Sequence, residues 1–152
     1  MASVLEGFSA DHRRLEELLV ALIGAVESSD LERARRAMVI YARESRRHSR
    51  VEDEVLFAGF EERTGMRDTG PTVILRRDHQ EIDRRFDQLS GALVNASTAH
   101  EALFQVRALQ ALLHDHRKRE ETILFPVCDR LLDAAVRAAA VRELGVHRGA
   151  GD

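Results

Sequence analysis

Apolar residues recur along this chain in alternating three- and four-residue steps, the spacing that lines one face of an α-helix with core-facing side chains. The stripe runs through Phe8, His12, Leu15, Leu19, Leu22 and Val26, then through Tyr41, Ser45, His48, Glu52 and Val55. It resumes at Leu75, His79, Ile82, Phe86, Leu89 and Leu93, and again at Val106, Leu109, Leu113, His116, Glu120 and Ile123. No period-two alternation rich in β-branched residues lasts long enough to make a strand. The pattern predicts an all-α chain, with four long helices packed as an antiparallel up-down bundle and a short C-terminal helix after them.

Capping and breaking residues set the expected boundaries. The first helix should cover about residues 9–26, with Ser3 or Ser9 as N-cap. The second opens at Ser29, whose spacing to Glu32 fits a capping box, and runs to about Phe60. Residues 63–70 form the longest connection, and Pro71 suits the first position of the third helix, which ends near Asn95. Thr98 and Glu101 make a second capping box at the start of the fourth helix. Pro126 should kink or stop that helix, because proline lacks the amide needed there. Residues 1–133 are thus expected to form the bundle, and 134–152 a short Ala-rich helix and a flexible Gly-rich tail.

Composition narrows the function classes. The chain has 152 residues, 44% of them apolar, enough for one domain with a real core. Charged residues of both signs are interspersed and the formal net charge is −3, so no basic face is offered to nucleic acid. The longest apolar run, Leu18 to Val26, is far short of the ~20 residues a bilayer requires. The N-terminus does not read as a signal peptide, and the lone Cys128 excludes an internal disulfide and a thiolate zinc site. A cytoplasmic protein, monomeric or a small homo-oligomer, is expected.

The polar residues within the apolar stripe form a repeat. Asp11-His12 followed by Leu15 is echoed by Asp78-His79 followed by Ile82. His48 with Glu52 and Leu56-Phe57 is echoed by His116 with Glu120 and Leu124-Phe125. The offsets are 67 and 68 residues, so the chain reads as two helical hairpins carrying the same groups. At the helical rise of 1.5 Å, His12 and His48 each lie roughly 25–29 Å from the turn at Ser29. His79 and His116 are likewise level about Thr98, so the four imidazoles can share one layer.

A lone histidine on an apolar face is more often a hydrogen-bonded core residue than a ligand. Four in register with two core carboxylates are different, because a buried carboxylate costs several kcal/mol unless it is paired or coordinated. A metal cluster satisfies all of them. Imidazole plus carboxylate suits iron, manganese or zinc, and six or seven ligands are too many for one tetrahedral zinc. Two six-coordinate ions bridged by carboxylates fit better, with His12, His48, Glu52, His79, His116 and Glu120 as candidate ligands and Asp83, one turn after His79, beside them. Tyr41, two turns from His48, reads as an aromatic core residue or as a hydroxyl serving the site. His100, His114 and His147 lie off the seam.

These motifs, taken together over about residues 8–127, resemble the hemerythrin-like HHE cation-binding domain. The resemblance implies an oxo- or hydroxo-bridged di-iron centre, with His12 and His48 on one iron, His79 and His116 on the other, and Glu52 and Glu120 bridging. Oxygen-carrying hemerythrins have a second histidine one turn along the third helix, where this chain has Asp83, and a carboxylate ligand there favours oxidation over reversible O2 release. In those carriers the last carboxylate falls five residues after its histidine, which makes Glu121 a rival to Glu120; the internal repeat favours Glu120. The expected function is a non-haem di-iron protein handling O2, peroxide or nitric oxide in oxidative or nitrosative stress defence, with catalase-like or peroxidase turnover. The alternatives are an iron- or O2-sensing or O2-binding module without turnover, and a purely structural bundle.

Overall fold

A computed structural model of the chain describes residues 3–146, and among them every regular element is helical. Helix α1 spans Val4–Glu27, α2 Leu31–Val51, α3 Ala58–Thr64, α4 Pro71–Ala92, α5 Ala99–Arg119, α6 Phe125–Leu131 and α7 Ala134–Val146. Two π-helical segments, Glu52–Phe57 and Glu120–Leu124, join α2 to α3 and α5 to α6 without a break. Helix α1 packs along α2 and α5, and α4 packs along α5 and α2, so the four long helices close a ring around a common core.

Local chemistry explains most of the boundaries. Helix α1 begins at Val4, earlier than expected from residue 9, because Ser3 caps the amide of Glu6 and Asp129 of α6 accepts from the amides of Val4 and Leu5. The expected capping box at Ser29 does not form. Ser29 takes a left-handed conformation (φ 57°) in the tight turn, and the next residue, Asp30, caps α2 by accepting from the Arg33 amide. The second box also fails: the Thr98 hydroxyl turns back to donate to the carbonyl of Ala92 at the end of α4. Gly65 (φ 73°) ends α3 in the left-handed region, where glycine carries no Cβ penalty, and Pro71 opens α4 as expected.

The fourth helix neither stops nor breaks at Pro126. The π-helical turn before it resets the hydrogen-bond register, so the proline falls in the first turn of α6, where its missing amide removes no bond. The same turns correct the predicted stripe. Val55 is only partly buried and Ile123 is 55% exposed, whereas Leu56, Phe57, Leu124 and Phe125 are fully buried. One extra residue per turn moves the buried face by one position after each glutamate.

Helix α7 lies across α1, α2 and the first π-helical segment, with Ala140 and Leu144 buried. A Cβ at Gly7 would stand 3.1 Å from Val141, so the missing side chain is what lets α7 approach α1 so closely. Arg47 of α2 donates to the carbonyl of Leu144. His147 and the rest of the Gly-rich end lie outside the described residues.

Candidate metal centre

The buried side chains form two apolar cores with a polar layer between them. One core includes Leu15, Tyr41, Ile82, Phe86 and Leu113; the other includes Phe8, Val51, Leu56, Phe57, Leu75, Leu124 and Phe125. Between Phe8 and Leu15 on α1 sits His12, between Leu75 and Ile82 on α4 sits His79, and His48 and His116 occupy the same level on α2 and α5. All four histidines are buried, and Glu52 and Glu120 have no exposed surface. The helical phase read from the sequence thus delivers all six side chains to one layer.

Within that layer the groups sort into two sets. Ligand atoms of His12, His48, Glu52 and Glu120 lie within 4.8 Å of one another, and so do those of Glu52, His79, His116 and Glu120. Glu52 stands between the halves, its Oε1 3.0 Å from His48 Nε2 and its Oε2 3.1 Å from His79 Nε2. Glu120 does the same, with Oε1 2.9 Å from His116 Nε2 and Oε2 3.3 Å from His12 Nε2. Each glutamate opens a π-helical segment, and such turns widen a helix where a side chain must be aimed at a site.

The outer nitrogens of the imidazoles are all taken by a second set of carboxylates. His48 Nδ1 donates to Asp11 at 2.8 Å, His79 Nδ1 to Asp53 at 2.9 Å, His116 Nδ1 to Asp78 at 3.0 Å and His12 Nδ1 to Glu121 at 2.7 Å. Each helical run therefore holds the histidine of the next, and the four contacts close a ring around the bundle. With Nδ1 donating outward, every Nε2 faces inward, where a bound cation would take the place of its proton. Asp11 is itself held by Arg14 and Arg47, Asp53 by Arg76 and Asp78 by Arg119.

Charge in the layer is strongly coupled. Burial alone would lower the pKa of His48, but the charge of Glu52 and the bond to Asp11 overcome it and raise His48 to about 9. His116 is raised against burial to about 9 by Glu120 and Asp78, and His79 to about 12 by Asp53, Glu120 and Glu52. Burial pushes Glu52 and Glu120 upward, yet the surrounding imidazoles bring both below the usual carboxylate range. Asp11 and Asp78 are lowered against burial by His48 and His116 together with their arginines.

A test of fit lies in what this layer leaves unsatisfied. Among the described residues, Glu52 Oε2, Glu120 Oε1 and Oε2, and His79 Nε2 are buried without a properly aligned hydrogen bond, although partners lie close by. Such groups are expensive to bury, and cations between them would satisfy all four atoms. Residues 3–128 match the family described as Hemerythrin HHE cation binding domain. The chain belongs to the hemerythrin HHE cation-binding family. No curated protein and no solved structure gives a match. The paired histidine and glutamate clusters of this HHE domain have the donor set and spacing of a cation site.

One expected ligand, Asp83, lies outside the layer, and the alternatives at Glu121 and Tyr41 are sorted by placement. Asp83 does not join the layer: its side chain is 52% exposed, and its carboxylate accepts from Arg46 of α2. The stripe on α4 steps from His79 to Ile82, which leaves Asp83 on the flank. Glu121 takes the outer nitrogen of His12, while Glu120 occupies the inner position. Tyr41 is fully buried, packed edge-on to Phe86, and its hydroxyl accepts from Arg117 rather than reaching a histidine. Burial raises its pKa further. Asp53 was not anticipated, nor were the roles of Asp11 and Asp78, although the internal repeat signals all three. An acid precedes His12 and His79, and an acid follows Glu52 and Glu120.

Proposed function

We propose that this HHE domain is an antiparallel up-down four-helix bundle holding two iron ions. His12 and His48 would hold one ion and His79 and His116 the other, with Glu52 and Glu120 shared between them. The observation that carries the reading is the pair of fully buried glutamates, each with oxygens turned toward histidines of both halves. Two bound irons would supply redox chemistry toward O2, peroxide or nitric oxide. The chain's own residues orient four imidazoles through the outer carboxylates, exclude bulk water by the two apolar cores, and aim Nε2 of each histidine inward. We assign the domain to oxidative or nitrosative stress defence, with peroxide consumption as the expected turnover and the cytoplasm as its location. Helix α7 we read as a cap added to a bundle that ends near residue 133.

The test is metal content per chain on purified protein, with the optical spectrum before and after peroxide. About two irons per chain and oxo-bridged ferric bands support the reading, as does peroxide consumption abolished by Glu52→Ala. No iron, a single zinc, or peroxide consumption that survives Glu52→Ala would overturn it. A sensing role is favoured by a different observation, that the ligands come from all four long helices, so that occupancy and helix packing are tied together. A thermal melt unaltered by iron removal would eliminate that reading.

A further inference from the structure

The two halves of the chain repeat the histidines, the inner glutamates and the outer acids, yet they hold those acids differently. Asp11, the acid on His48, has no exposed surface, and two arginines grip it, Arg14 at 2.9 Å and Arg47 at 3.4 Å. Glu44 joins the group, 2.9 Å from Arg14 and 3.6 Å from Arg47. At the equivalent positions of the second half stand Glu81 and Asp115, and the acid on His116, Asp78, is held instead by Arg119.

Arg47 has a further partner. Its side chain is only 11% exposed, and while one arm meets Asp11 the other donates to the Leu144 carbonyl, in the last described turn of α7, at 3.0 Å. The planar guanidinium fork holds two acceptors at a fixed separation, so the acid and the helix are positioned together. Among the described residues, Arg47 is the arginine that ties an outer acid to α7. The helix itself is closely fitted. Ala140 and Leu144 are buried, and a Cβ at Gly7 of α1 or Gly59 of α3 would stand 3.1 Å from Val141 or Val136 respectively. A continuous path therefore runs from α7 through Arg47 and Asp11 to the Nδ1 of His48, although α7 supplies none of the six inner side chains.

We propose that α7 is a latch on the His12–His48 half of the site: docked, it fixes Arg47 and, through Asp11, the ring of His48; lifted, it takes one arginine from Asp11 and weakens cation binding on that side alone. Arg47 is the positioning residue of this latch. Linkage makes the effect reciprocal, so loss of the ion beside His48 loosens α7 and turns occupancy into a change at the surface. What concerns ions here rests on the di-iron reading above; what concerns the His48 ring does not.

The test uses the full chain. Ala140→Glu puts a charge into the buried face of α7, Gly7→Val fills its close approach to α1, and Arg47→Met cuts the path with α7 in place. In the metal-free chain, solvent exchange of the imidazole Nδ1 protons is read by nitrogen-15 NMR. It should quicken about tenfold or more at His48 in all three variants and by less than about twofold at His79 and His116. In the iron-loaded chain, one of the two irons should pass to a competing chelator about 10–100-fold more readily, while the other stays within about threefold of wild type. Ala140→Glu combined with Arg47→Met should lose no more than Arg47→Met alone, because both act on one path. Should Ala140→Glu fail to fold, Gly7→Val takes its place in that pair. Unchanged exchange at His48 in Arg47→Met, equal quickening at every imidazole, equal release of both irons, or additive losses in the double variant overturns the latch. A wild-type chain that holds no iron yet shows the selective change at His48 overturns the di-iron reading and supports the latch.

Discussion

At the scale of single residues, carboxylates in and around the histidine layer fall into classes that substitution should separate. Glu52 and Glu120 face two histidines each, so on the proposed reading Glu52→Ala should abolish stoichiometric metal binding. The outer acids Asp11, Asp53, Asp78 and Glu121 touch only the far nitrogens of the rings. Replacing Glu121 by Gln should preserve the metal count but lower affinity by about 10–100-fold, measured by competition with a chelator. Asp83→Asn should leave both unchanged, because its partner is a surface arginine. An affinity loss at Asp83 as large as at Glu121 would put the third-helix carboxylate back among the ligands. The inner six residues were legible in the sequence because they interrupt an apolar stripe. The internal repeat carries the outer four, and Glu121 was weighed as a rival ligand, but their hydrogen bonds to the rings were not legible, because the partners are on neighbouring helices, a pairing that periodicity does not encode.

At the scale of elements, the two π-helical turns explain both a departure from the expected pattern and the directions of the glutamates. A strict three-four stripe continues through Val55 and Ile123, but the widened turn buries Leu56-Phe57 and Leu124-Phe125 instead. Pro126 becomes a resident of a first helical turn. Pro126→Ala should therefore change stability by no more than about 1 kcal/mol in urea denaturation. A gain of about 3 kcal/mol would mean that the proline sits in a helix interior and strains it. Helix number and order were readable from the stripe and from Pro71. The caps were read less well: Ser29 and Thr98 have the right spacing, but turn geometry and the end of α4 engage them differently, and Asp30 takes the capping position.

At the scale of the whole molecule, the layer couples protonation, metal and stability. In the metal-free protein His48 and His116 have raised pKa values, so their contribution is fully present below the ordinary value of 6.5 and is lost as pH rises through about 9. Asp11, Asp78, Glu52 and Glu120 are lowered, so theirs is present above the ordinary values of 3.8 and 4.5 and is lost on further acidification. The melting temperature of the metal-free protein should thus be highest between about pH 4.5 and 6.5 and fall toward pH 10. With metal bound, the Nε2 lone pairs are occupied, so the alkaline fall should vanish and acid should instead release the metal. Identical pH profiles with and without metal would contradict this coupling.

The claim on which the rest depends is that two ions sit between Glu52 and Glu120. Anomalous diffraction at the iron edge, on crystals of protein purified without added chelator, tests it directly. Two peaks about 3.5 Å apart, one beside His12 and His48 and the other beside His79 and His116, are the predicted result. A single peak, none, or density outside this layer would contradict it.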